Sequence, residues 1–290
     1  MAERVEIFEV GPRDGLQNEP GEIAVADKVA LIDRLSAAGF ARIEVASFVS
    51  PKWVPQMAGS AEVMARIHRV PGVSYAALTP NMRGFDDAMA AGADEVAIFG
   101  SASEGFSRAN INATIAESLE RFAPVAEAAR ARDVPVRGYV SCVTDCPYDG
   151  PVAPAQVADV AARLLALGCY EVSLGDTLGR ATPERVEAML GAVVQAVPAA
   201  QLAGHFHDTA GRALENIEVA LDHGLRVFDA AVGGLGGCPY APGAKGNVAT
   251  EAVHDRLIAL GYDTGLDRGA VAEAADMARR MRREEGRADV

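Results

Sequence analysis

The sequence predicts an α/β fold, a (β/α)8 TIM barrel with a short C-terminal helical appendage. Short β-like runs alternate with longer amphipathic ones, glycine recurs just before the next run begins, and polar residues collect at the ends of the runs. Residues 5–10 read as the first strand, 25–38 as a helix and 42–46 as the second strand. Further strands are expected at 73–78, 95–99, Val136–Ser141, 170–174, 202–207 and 227–232, which makes eight. Helical patterns at 111–132, 155–167 and 183–197 lie between them. Gly39, Gly92, Gly168 and Gly224 stand where helices should stop, because glycine takes the left-handed conformation that closes a helix. The alternative, a doubly wound open sheet, lacks a GxGxxG after a strand and any composition break between two halves. The barrel is expected to occupy 1–262, and 263–290, with a highly charged helical stretch at 270–283, forms the appendage.

A chain of 290 residues, 50% of them apolar, buries a large core. Its formal charge of -13 argues against a nonspecific grip on nucleic acid or an anionic membrane, which needs clustered Lys and Arg. No apolar run approaches the roughly 20 residues of a membrane span, and charges begin at Glu3, so a cytoplasmic protein is expected. Cys142, Cys146, Cys169 and Cys238 show no CxxC pairing and are expected as thiols, with Cys142 and Cys169 buried.

His205 and His207 are the most informative pair. At i and i+2 of a strand their imidazoles share a face and converge on one point, as metal ligands would; the alternative is two strand-end histidines satisfied by hydrogen bonds. Asp14, just past the first strand, either ligates the same ion or caps a turn with Gly15. Asn247 follows the glycine-rich segment 233–246 and offers an amide oxygen. Two imidazoles, a carboxylate and an amide suit an octahedral divalent cation, Mg2+ or Mn2+, better than a closed zinc site. Asp208 points the other way, as an outer partner or as the N-cap of a helix starting near Ala210.

Arg13 is either a surface ion pair with Asp14 or a cation aimed at charge developing on a reacting oxygen. Glu44 and Asp176 sit at strand ends, either as carboxylates held by backbone donors or as groups that move protons. Segment 233–246 reads as a loop that closes over substrate. Its Cys238 either delivers a proton or pins the closed loop.

The runs VGPRDGLQNE at 10–19, SFVSPKWVPQM at 47–57, RGYVSC at 137–142 and SLGDT at 173–177 resemble those of the 3-hydroxy-3-methylglutaryl-CoA lyases, within the superfamily of metal-dependent lyases and Claisen-type synthases. GGLGGCPYA at 233–241 is the sharpest match, since it separates lyases from synthases. The resemblance covers essentially the whole chain. It implies retro-Claisen cleavage of an acyl-CoA substrate, with Asp14, His205, His207 and Asn247 as metal ligands and Arg13 stabilising the enolate of the product. It further implies Cys238 as the thiol that protonates the product, with Glu44, Asp176 and Glu251 in support. His205 and Asp14 are the candidate bases, and Ser103 and Asn110 resemble a region near the CoA tail. Pro20 stands where some relatives carry a lysine, so the grip on CoA is expected to differ. A homodimer is expected from the bacterial members.

Three other readings compete. A lyase for longer-chain 3-hydroxy-3-alkylglutaryl-CoA needs only a different pocket lining. A Claisen-type synthase is expected to carry a further C-terminal domain. A catalytically silent metal-binding barrel would keep the fold and cleave nothing.

Overall fold

Eight parallel strands close into a barrel in a computed structural model that describes residues 2–19, 21–238 and 241–285, with side chains described except at 237–245 and 283–285. Pro20 therefore lies outside the described residues. The strands are β1 (Glu6–Glu9), β2 (Arg42–Ser47), β3 (Ser74–Leu78), β4 (Glu95–Ser101), β5 (Val136–Ser141), β6 (Glu171–Asp176), β7 (Leu202–Phe206) and β8 (Val227–Ala230). Each pairs with its sequence neighbours, and β1 closes the circle on β8 with Glu9 opposite Ala230. The helices on the outside are α1 (Val25–Ala37), α2 (Ser60–Arg66), α3 (Met82–Ala90), α4 (Glu104–Ile111), α5 (Ile115–Arg130), α6 (Pro154–Leu167), α7 (Pro183–Ala196), α8 (Ala213–Asp222) and α9 (Thr250–Ala259).

Alternation along the strands divides the molecule into two interiors. Outward residues such as Val136, Val140, Val172, Leu174, Leu202, Phe206 and Phe228 join the main apolar cluster under the helices. Residues of opposite parity, Arg137 and Tyr139 on β5, Ser173 on β6, His205 on β7 and Asp229 on β8, fill the barrel with polar groups. A parallel sheet buried on both faces usually reads as continuous apolar sequence, so a charge inside a strand marks a special interior.

The predicted helix stops hold, since Gly39, Gly92, Gly168 and Gly224 have φ of 98, 79, 114 and 89°. The stretch expected as one helix at 111–132 is instead two. Asn112 turns left-handed at φ 49° and ends α4, and Thr114 then opens α5 with a capping box to Glu117. The helix expected near Ala210 begins at Ala213, whose N–H donates to Asp208 Oδ1 at 3.2 Å. The C-terminal stretch forms α10 (Arg268–Glu285), which buries Val271, Ala274, Ala275 and Ala278 against α1 and the turn Val232–Gly234. Among the described residues no helix is long and apolar enough to cross a membrane.

Candidate active site

The first strand ends in a π-helical turn, Gly11–Gly15, in which Gly15 N–H donates to Val10 O at 3.1 Å. Such wide turns are rare and recur at functional sites. This one carries Arg13 and Asp14 over the barrel mouth, where β7 delivers His205 and His207. Asp14, His205 and His207 each offer a ligand atom within 4.8 Å of the others. His205 Nε2 lies 3.2 Å from His207 Nε2 and 3.9 Å from Asp14 Oδ2. Bonds of about 2.1 Å to an octahedral cation put adjacent ligands about 3 Å apart and opposite ones about 4 Å apart, so the three donors fit a divalent ion. Asn247 bridges to His207 across the barrel mouth and donates its Nδ2 to Asp14 Oδ2 at 2.9 Å and to Leu235 O at 3.3 Å.

The charge states of His207 and Asp14 suit that role. Burial opposes the charge of His205, but Asp229 and Asp14 outweigh it and raise His205, so an ion there takes the place of a proton. Burial, with His205 beside it, pushes His207 down to about 4, so it presents a neutral imidazole. Burial works against the carboxylate of Asp14, but Arg13 and the two histidines outweigh it and hold Asp14 at about 2. Arg13 is buried; its Nε reaches Glu44 Oε2 at 2.6 Å and its Nη1 reaches Asp14 Oδ1 at 2.7 Å. Burial opposes its charge, and Glu44 and Asp14 more than restore it. Tyr139 Oη donates to the same Glu44 oxygen at 3.1 Å.

Sequence reasoning missed the group that orients His205. Asp229 Oδ2 lies 3.1 Å from His205 Nδ1 and accepts from Ser173 Oγ at 2.7 Å and Arg137 Nη1 at 3.0 Å, while Oδ1 accepts from Arg137 Nη2 at 2.7 Å. Although burial opposes ionisation, Arg137 and His205 hold Asp229 well below the usual carboxylate range. An ionised carboxylate only accepts, so His205 Nδ1 carries the proton and Nε2 turns its lone pair to the ion site. Arg137 also donates to Glu171 at 2.7 Å and to Tyr139 Oη at 3.0 Å, linking Asp229 to Glu44 and Arg13. The available signal was a lone charge inside a strand, Arg137 in VRGYVS and Asp229 in VFDA.

Glu9 is a second omission. Fully buried, it accepts from Gly11 N at 2.8 Å, Val232 N at 2.9 Å and Thr250 Oγ1 at 2.6 Å, and so joins the first and last strand ends. Burial raises it to about 7 against those three donors.

The remaining predicted residues lie outside this ring. Asp176 is buried and raised by burial; Oδ2 takes the Ala181 N–H at 3.0 Å and Oδ1 the Thr144 hydroxyl at 3.4 Å, which ties together the loops after β6 and β5. Ser103 is 4% exposed and N-caps α4, with its hydroxyl accepting from Phe106 N at 3.1 Å and bonded to Asp149 and Cys146. Asn110 is exposed on the same helix. Among the described residues no hydrogen bond or ion pair joins Asp176, Ser103 or Asn110 to the Asp14 group. Cys142, Cys146 and Cys169 are buried free thiols. The backbone of Cys238 pairs with Ala241 in a short antiparallel hairpin, and its side chain lies outside the described residues.

Comparisons with known proteins point to one family. A 3-hydroxy-3-isohexenylglutaryl-CoA/hydroxy-methylglutaryl-CoA lyase of Pseudomonas aeruginosa is 59% identical over 94% of this chain and 91% of its own. The crystal structure of the HMG-CoA lyase from Brucella melitensis superposes with a TM-score of 0.96 at 61% identity, over 97% of this chain and 100% of that one. An HMG-CoA lyase from Acinetobacter baumannii, solved in complex with coenzyme A and 3-methylmalate, superposes at 0.91 with 36% identity, over 96% and 91%. The HMGL-like family model matches residues 4–278, and the chain belongs to the HMGL-like family.

Proposed function

We propose that the chain is a carbon–carbon lyase that cleaves 3-hydroxy-3-methylglutaryl-CoA to acetyl-CoA and acetoacetate. The observation that carries this reading is the Asp14–His205–His207 group opening beside Arg13 at the barrel mouth. The relatives named above support it, since the methylglutaryl substrate stands in the name of each. In this reaction the C3 hydroxyl loses its proton and the C2–C3 bond breaks. The bonding pair moves onto C2 as the thioester enolate, and a proton delivered to C2 completes acetyl-CoA.

Asp14, His205 and His207 would hold a divalent cation, Mg2+ or Mn2+, and Asn247 would join them by presenting its Oδ1 to the ion while its Nδ2 keeps the bond to Leu235 O. When bound, the ion supplies Lewis acidity toward substrate oxygens. Arg13 has five N–H groups, of which Glu44 and Asp14 engage three, so two remain for the enolate oxygen. Glu44 and Tyr139 fix that guanidinium in advance, which is where electrostatic stabilisation is strongest. Of the two candidate acceptors of the hydroxyl proton, Asp14 keeps a second carboxylate oxygen when one oxygen holds the ion, whereas His205 can accept only when its Nε2 is not engaged by the ion. Cys238 returns a proton to C2, a role that rests on the resemblance of GGLGGCPYA. Asp176 and Glu251 support the loops around the site, and the α4 region with Ser103 and Asn110 lies toward the CoA tail. A cytoplasmic homodimer belongs to the same proposal and rests on the family resemblance alone.

The test is acetoacetate release from 3-hydroxy-3-methylglutaryl-CoA by the purified protein with added Mg2+ or Mn2+, then with chelator. Rapid release that the chelator stops is expected. Absence of release from protein that binds the ion would defeat the proposal.

A further inference from the structure

Two arginines of the C-terminal helix reach carboxylates that in turn hold the glycine turn at the mouth. Arg279 Nη2 pairs with Glu251 Oε1, and Glu251 Oε2 accepts the Gly233 N–H at 3.0 Å. One helical turn on, Arg282 Nε and Nη2 reach Glu19 Oε1 at 3.0 and 2.6 Å, and that oxygen accepts the Gly236 N–H at 3.1 Å. Arg282 Nη2 also donates to Gly234 O at 3.0 Å and Gly236 O at 3.3 Å. Residues three apart share a helix face, so one face of α10 grips the turn at both ends. The grip is close: Gly233 and Gly236 have φ of 68 and 108°, a Cβ on Gly233 would lie 3.1 Å from Ala275 O, and one on Gly236 would lie 3.0 Å from Asn247 Nδ2.

We propose that Arg279 and Arg282 are positioning residues that seat the Gly233–Gly236 turn against Asn247 and thereby set the geometry at Asp14. The path is short. Arg282 and Glu19 fix Gly236; the neighbouring Leu235 O accepts from Asn247 Nδ2, and the same nitrogen donates to Asp14 Oδ2. The turn also leads within two residues to Cys238, so its seat sets where the hairpin begins. A packed ornament on the barrel would need only the apolar face of Val271, Ala274, Ala275 and Ala278. The charged face instead spends four donor contacts from one arginine on loop groups drawn from two distant parts of the chain.

The catalytic consequence rests on the lyase reading, whereas the seating itself does not. The experiment compares the full-length protein with Arg282→Ala, Glu19→Gln and the double variant, following amide exchange at Gly236, Mn2+ affinity by calorimetry, thermal unfolding, and kcat and KM for 3-hydroxy-3-methylglutaryl-CoA. Arg282→Ala is expected to speed Gly236 exchange and to weaken Mn2+ binding about 10-fold, as loss of an outer partner of a ligand does. It should also lower kcat more than it raises KM, while Tm falls by no more than about 4 °C. Glu19→Gln keeps an acceptor for Gly236 but weakens the ion pair, so its effects should combine non-additively with those of Arg282→Ala. Unchanged Gly236 exchange and Mn2+ affinity in a folded Arg282→Ala protein would overturn the proposal. If the parent protein cleaves no thioester, the lyase reading fails, and exchange and Mn2+ binding still decide the role of the arginines.

Discussion

Replacing Asp229 by asparagine preserves its shape and removes only its charge and one acceptor, which makes it the sharpest probe of the barrel interior. In the parent, Oδ2 faces three donors, from Arg137, Ser173 and His205, and Oδ1 faces one from Arg137. An asparagine NH2 placed at either position meets a donor with a donor. Arg137, fully buried and stacked 4.3 Å over the Phe8 ring, keeps Glu171 but loses its bidentate partner. Breaking a buried pair from one side typically costs about 3–5 kcal/mol. His205 loses the acceptor that fixes its tautomer, for which a 10–100-fold loss of metal affinity is the usual order. Urea unfolding and Mn2+ calorimetry on Asp229→Asn read the two effects separately. A variant that binds Mn2+ within about twofold of the parent would show that His205 is oriented by something other than Asp229.

Glu9→Gln should alter how stability depends on pH. Below its ordinary value of 4.5 the carboxyl is protonated whether folded or unfolded; between 4.5 and about 7 only the unfolded chain ionises, so stability held by the protonated group is lost as pH rises through about 7. That interval corresponds to roughly 3 kcal/mol, so above about pH 8 the glutamine variant should melt higher than the parent, and near pH 4 the two should converge; parallel melting curves across this range would contradict the assignment. His207→Ala should weaken Mn2+ binding by more than about 100-fold, beyond the range for an outer partner, and retained affinity removes it from the ligand set. Cys238→Ser should lower kcat by about 10²–10⁴ as loss of a proton donor does, with Mn2+ affinity unchanged; loss of metal binding instead would contradict its role.

The barrel was legible because each strand run is short, ends near a glycine or a polar residue and alternates with a helical pattern, and the eight strands fall within two residues of their expected bounds. That His205 and His207 share a face was legible from their i, i+2 spacing in a strand, and the structure brings both beside Asp14. Asp229 and Arg137 were not read, because a partner three strands away leaves no local trace; only the oddity of a charge inside an apolar run marked them. The break at Asn112 was hidden for a related reason. The apolar period continues through residues 111–132, and it is the left-handed backbone at Asn112 followed by the Thr114 cap that divides the run. The part played by α10 was also hidden, since its charged face looks like solvent-facing surface until Glu19 and Glu251 are brought beside it.

The Asn247–Asp14 hydrogen bond spans 233 residues and the Thr250–Glu9 bond spans 241. A protein synthesised from its N-terminus therefore makes Asp14 first and waits for nearly all of the chain before the partners that place it exist. Contacts this distant in sequence must pay their loop-closure entropy late, and they slow folding. If the Asp14 group holds the ion as proposed, the nascent chain has no assembled site to fill, however much divalent cation surrounds it, until β8 and Asn247 are in place. Ion capture becomes a report on completed folding: a fragment ending before Asn247 should acquire strands and helices yet fail to retain the ion.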